Sequence, residues 1–210
     1  MASVALKIVI ATDAWKPQIN GVVTTLSHVE GYLRAQGCEV RVIHPGDFHT
    51  FALPNYKEIC VAWNVWKFAE IFESYKPDCV HIATEGPIGL AARRYLTKRG
   101  LPFTTSLHTK FPEYVNQRIG MPVSWGYAFL RWFHEPSKAT LVTTESMRDE
   151  LTARGLKDLV VWTRGVDTQL FCPEQGDKSR EGSSQPVMVY VGRVAIEKNI
   201  EAFLDLPIEG

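Results

Sequence analysis

The sequence predicts an α/β protein: a doubly wound, mostly parallel Rossmann-like sheet, followed by the opening of a second, incomplete Rossmann-like domain. Short apolar runs rich in β-branched residues alternate with segments of helical period, and parallel strands need connections of that length. Glycines stand where those helical segments stop, at Gly37, Gly100 and Gly155. A polar stretch, PEQGDKSREGSSQP, lacks hydrophobic periodicity and separates the main body from a late apolar run.

In chain order, Ile8–Ala11 reads as a buried strand, Asp13–Asn20 as a loop, and Val22, Val23, Leu26, Val29 and Leu33 as one face of a helix reaching Gln36. Glu39–His44 alternates as a strand and is closed by Pro45-Gly46, with an aromatic loop to Tyr56 and a short strand at Ile59–Ala62. Val65–Tyr75 has a helical face. Strands follow at Cys79–Ile82, Leu101–Leu107, Ala139–Thr143 and Leu159–Trp162, with helices at Pro87–Lys98, Pro122–Phe133 and Ser146–Ala153. The predicted domains are 1–171, a linker at 172–186, and 187–210, which holds a strand (Val187–Val191) and a helix (Glu197–Leu204).

With 210 residues, 45% of them hydrophobic, the chain has apolar material for one core. Lys+Arg and Asp+Glu balance at 23 each, against a nucleic-acid partner. No apolar run approaches the ~18 residues of a membrane span, and the N-terminus lacks a basic leader, so a cytoplasmic protein is expected. Cys38, Cys60, Cys79 and Cys172 show no CxxC spacing, which favours reduced thiols and argues against zinc.

Strand, loop and helix place Asn20-Gly21 at a helix start beside a strand end. Either Gly21 lets an anion approach the helix N-terminus, or it serves a tight turn. A nicotinamide site needs GxGxxG, and Asp13–Gly21 has one glycine. His108 follows a strand, where a lone histidine is more often structural than functional.

Five blocks then occur in order: TDAWKPQINGVVTTL, EGPIGLAARR, SLHTKFPEYV, TRGVDTQLFCP and VGRVAIEKNIEAFL. Together they resemble the retaining glycosyltransferases of family 4, of glycosyltransferase-B fold, and within them the lipid-glycosylating mannosyl and sulfoquinovosyl transferases. The resemblance implies an acceptor-side domain facing a donor domain across a cleft, with a nucleotide sugar as donor and no metal or other cofactor. It implies that Gly21 meets the donor diphosphate, that Arg193 and Lys198 clamp it, and that His108 holds the transferring sugar. Asp13, Asn20 and Tyr114 fall on the acceptor side, with loop capping the equal alternative for Asp13. On WGYAFLRWFH, Trp125, Arg131 and Trp132 mark either a core helix or a face for a lipid acceptor or peripheral membrane contact.

Relatives of this kind continue for roughly another domain, ~150 residues, and that further part carries their acidic Glu-x7-Glu block. The chain alone is therefore expected to be inactive, and its late apolar segment to support dimerisation through residues after 185. The competing class is a non-catalytic module that binds a glycan, lipid or nucleotide, or completes a partner chain.

Overall fold

A computed structural model describes residues 5–53, 56–108, 112–113, 116, 120–172, 188–192 and 199–206, the side chains of 56–58 excepted. The chain divides into two compact units, residues 1–164 and 165–210.

The first unit is built on six parallel strands, β1 (Lys7–Ala11), β2 (Glu39–Ile43), β5 (Cys79–Ile82), β6 (Thr104–Leu107), β7 (Thr140–Val142) and β8 (Leu159–Val161), in the order β2-β1-β5-β6-β7-β8. A separate antiparallel hairpin pairs β3 (Thr50–Leu53) with β4 (Tyr56–Ala62). Helices are α1 (Gly21–Ala35), α2 (Phe68–Tyr75), α3 (Pro87–Arg99), α4 (Val123–His134) and α5 (Glu145–Ala153), and the second unit contains α6 (Ile200–Leu204).

Strand periodicity sorts the core onto two faces. Val9 and Ala11 of β1 join Val80 and Ile82 of β5 under Phe68, Phe72, Ile88, Ala92, Leu96 and Phe133, from α2, α3 and α4. The intervening Ile10 packs with Val40 and Val42 of β2 against Leu26 of α1 and Trp15. A third cluster joins Leu107 and Val142 to Tyr127 and Leu130 of α4 and Leu151 of α5. The chain steps from β1 to β2 in one direction, then returns past β1 to β5. That reversal makes the β1/β5 junction the topological switch point of the sheet, and ligands of open α/β sheets bind beside such points, off the strand C-termini.

Several boundaries differ from expectation. The aromatic loop to Tyr56 is in part the β3–β4 hairpin; exposed Phe51 broke the apolar alternation that marks a strand. β6 starts at Thr104 because Pro102, with no N–H, cannot join a ladder. Val65–Lys67 is a 3-10 turn ahead of α2. Residues 188–191 form no strand, and α6 begins only at Ile200. An isolated apolar run cannot close a hydrogen-bond ladder without a neighbouring strand.

Candidate functional site

The strand C-termini converge on the head of α1. Asn20 caps that helix: its Oδ1 accepts from the N–H groups of Val22 and Val23, both at 3.0 Å. This fixes the entry of the loop and leaves Gly21 exposed at the first helical position. A Cβ on Gly21 would lie 3.5 Å from Nη1 of Arg164, an ordinary contact. The fold itself therefore does not require glycine here.

His108 is the first residue beyond β6. Thr104, Ser106 and His108 share one face by the period of two, and His81 of β5 stands in register with Thr104. Side-chain bonds link this row. Nδ1 of His81 lies 2.9 Å from Thr104 Oγ1, its Nε2 lies 3.0 Å from Ser106 Oγ, and Ser106 Oγ lies 2.8 Å from Nε2 of His108. Arg164, just past β8, donates from Nη2 to His108 Nδ1 at 3.0 Å. Burial, followed by the Arg164 charge, lowers the His108 pKa to about 4. Burial and then the His108 charge lower His81 to about 4. Both rings are neutral at pH 7. His108 also borders a cleft of about 400 Å³ lined by Thr143, Thr144, Ser146, Met147 and Glu150.

Asp13 occupies the switch point itself. Its Oδ1 accepts from Ile88 N–H at 2.8 Å, and its Oδ2 from Thr84 Oγ1 at 2.8 Å and Gly89 N–H at 3.2 Å. Since α3 begins at Pro87 and Gly86 offers no capping side chain, the carboxylate caps the helix from across the junction. Burial raises its pKa, opposed by the bonds from Ile88, Thr84 and Gly89. Of the two sequence readings of Asp13, capping describes this geometry: both oxygens already carry protein donors.

On α4, Trp125 and Trp132 stand seven residues apart and expose 68% and 48% of their surface. Ala128 and the partly buried Phe129 share that face, while Tyr127, Leu130 and Phe133 face the core. The helix thus serves both sequence alternatives, core packing on one side and an aromatic outer face on the other. Arg131 donates to the Arg154 carbonyl at 3.0 Å, and Arg93 stacks 3.8 Å over Trp132. Tyr114, Arg193 and Lys198 lie outside the described residues. Among the described residues, no three His, Cys, Asp or Glu side chains converge as metal ligands would.

A family model described as Glycosyltransferase Family 4 matches residues 19–170, nearly three quarters of the chain. The chain belongs to Glycosyltransferase Family 4. Its parallel Rossmann-like sheet is that of the N-terminal domain of the glycosyltransferase-B fold. Relatives include a GDP-mannose-dependent alpha-mannosyltransferase of Mycobacterium tuberculosis, 24% identical over 98% of this chain and 60% of the relative. A sulfoquinovosyl transferase of Arabidopsis thaliana is 26% identical over 81% of this chain and 38% of its own. An alpha-monoglucosyldiacylglycerol synthase of Streptococcus pneumoniae is 24% identical over 95% and 51%. This chain therefore spans about 40–60% of the length of these three relatives.

Ser106, His81 and Arg164 were not singled out by sequence reasoning. The strand period of two could have put 104, 106 and 108 on one face, but the register that adds His81 comes from pairing across strands. Arg164 lay within the quoted block TRGVDTQLFCP, which carries no local signal of a partner at His108.

Proposed function

We propose that this glycosyltransferase moves a hexosyl-type sugar from a nucleotide-sugar donor to a lipid acceptor, with retention of anomeric configuration. The observation that carries the reading is the placement of Gly21 and His108 at one edge, spanned by Arg164, whose Nη1 and Nη2 reach toward the two. Gly21 admits the donor diphosphate to the head of α1, and neutral His108 meets a hydroxyl of the sugar. As the glycosidic bond breaks, negative charge grows on the leaving diphosphate. Fixed cations stabilise that charge, a role assigned to Arg193 and Lys198, so the reaction needs no metal. The remaining donor contacts fall to the part of the relatives' length that this chain does not span, and the 210 residues alone are expected to be inactive.

The lipid acceptor brings the protein to a membrane surface as a peripheral enzyme. No helix among the described residues is long and apolar enough to cross a bilayer. The aromatic face of α4 supports surface contact instead, since Trp and Arg side chains suit the headgroup boundary. Exposed Met188, Val189 and Val191 are assigned to self-association, to be checked by solution mass.

The test is calorimetry with GDP-mannose, UDP-glucose and the free nucleotides, together with a transfer assay on lipid acceptors in a protein extended to the relatives' length. Binding and transfer that are both lost in His108→Ala support the reading. Ligand binding without transfer in the extended protein identifies a non-catalytic module and overturns it.

A further inference from the structure

Two carboxylates stand near each other at the switch point, and the fold accounts for only one of them. Asp13 has both oxygens engaged at the start of α3. Glu85, in the connection from β5 to α3, is close enough for its charge to add, after burial, to the raised pKa of Asp13. Yet among the described residues none donates a hydrogen bond to Glu85, and 19% of its side chain is exposed. Capping α3, the structural task open to an acid at this place, is already performed by Asp13.

One polar group points at Glu85. His134 closes α4 with 3% of its side chain exposed, and its Nε2 lies 3.5 Å from Glu85 Oε1. That nitrogen is buried without a hydrogen-bond partner among the described residues, while Nδ1 lies 2.8 Å from the hydroxyl of fully buried Thr105. A carboxylate can only accept, so the facing pair is favourable only with a proton on Nε2. A buried donor left unpaired is costly, and that cost holds the Glu85 carboxylate against the ring.

We propose that Glu85 binds a neutral hydroxyl of the acceptor head group, with His134 as its positioning residue. This rests on the reading of the chain as a transferase to a lipid acceptor and names the chemistry of that acceptor. His134 faces Oε1, so Oε2 is left for a ligand that donates. A phosphodiester oxygen can only accept and is repelled by a carboxylate, which excludes a phospholipid phosphate at this point. A glycerol or sugar hydroxyl fits on both counts. Since β5 and β6 are neighbours, Glu85 leaves the edge one strand from His108.

Carbon-13 NMR of the glutamate side-chain carboxyls in the 210-residue chain reads the contact. The probes are phosphatidylcholine nanodiscs carrying dioctanoylglycerol, monoglucosyldiacylglycerol or triacylglycerol, the last without a hydroxyl. The expected result is a shift at Glu85 with dioctanoylglycerol or the glucosyl lipid, the responding one naming glycerol or sugar, and none with triacylglycerol. Glu85→Gln keeps an oxygen for His134 but turns the other acceptor into a donor, and should weaken binding about tenfold with an unchanged thermal midpoint. His134→Gln still presents a donor to Glu85 and should bind as wild type, whereas His134→Leu should weaken binding. A Glu85 carboxyl that stays still with every disc, or moves equally with triacylglycerol, overturns the proposal, as does wild-type affinity in Glu85→Gln. GDP-mannose and UDP-glucose test the parent reading separately. A response at Glu85 with Gly21 and His108 unmoved by either nucleotide sugar keeps the hydroxyl site and removes the transferase reading, and the reverse removes the hydroxyl site alone.

Discussion

Gly21 separates folding from function at a single residue. A methyl group there meets Arg164 at ordinary contact distance, and alanine is favourable in a first helical turn. Gly21→Ala is expected to keep the thermal midpoint while weakening nucleotide-sugar binding at least tenfold, measured by calorimetry. Asp13 shows the opposite balance. Asp13→Ala orphans three donors at the switch point and is expected to cost about 3 kcal/mol in denaturant unfolding. The histidines give a pH signature. His81 and His108 titrate near 6.5 when unfolded and about 4 when folded, so the unfolded chain binds more protons between those values. Stability is then full above pH 7 and falls as pH drops toward about 4. Asp13 has a raised pKa and works in the opposite sense, losing its contribution as pH rises above 3.8. Thermal midpoints from pH 8 to 4 check the sum, and His81→Gln should reduce the slope. Gly21 and His108 were singled out only through the ordered blocks around them, since each alone reads equally as a turn glycine or a structural histidine. Asp13 was ambiguous because its partners lie more than seventy residues away.

Among the elements, those with a full apolar period were legible in sequence. The six parallel strands were visible because β-branched runs alternate with helices, and α1 and α3 because a cap or glycine ends them. The strand expected at Ile59–Ala62 lies within β4, but β3 and its pairing were not visible, since exposed Phe51 removes the in-out pattern. Close approach between elements was equally hidden. A Cβ on Gly89 would sit 1.8 Å from the Thr84 carbonyl oxygen, so α3 can lie on β5 only with glycine there. Gly89→Ala is expected to destabilise by about 3 kcal/mol or more, read from denaturant unfolding. A variant of wild-type stability would mean that α3 does not press on the end of β5.

For the molecule as a whole, family and sheet topology agree, while partners and acceptor rest on surface chemistry. The α4 face predicts co-sedimentation with anionic phosphatidylglycerol vesicles, weakened several-fold by Trp125→Ala or Trp132→Ala. Trp125 is the cleaner probe, because Trp132 also supports Arg93, and Arg131→Glu would break the bond to the Arg154 carbonyl as well. Equal pelleting of wild type and both tryptophan variants would remove the membrane surface from the account. The central claim concerns the edge where α1 begins and β6 ends, and amide shift mapping of the 210-residue chain titrated with GDP-mannose and UDP-glucose tests it most directly. The account predicts the earliest and largest changes at Gly21, Val22, His108 and Arg164 with one of these donors. Changes confined to the β3–β4 hairpin or the outer face of α4, with those four amides still, would contradict it.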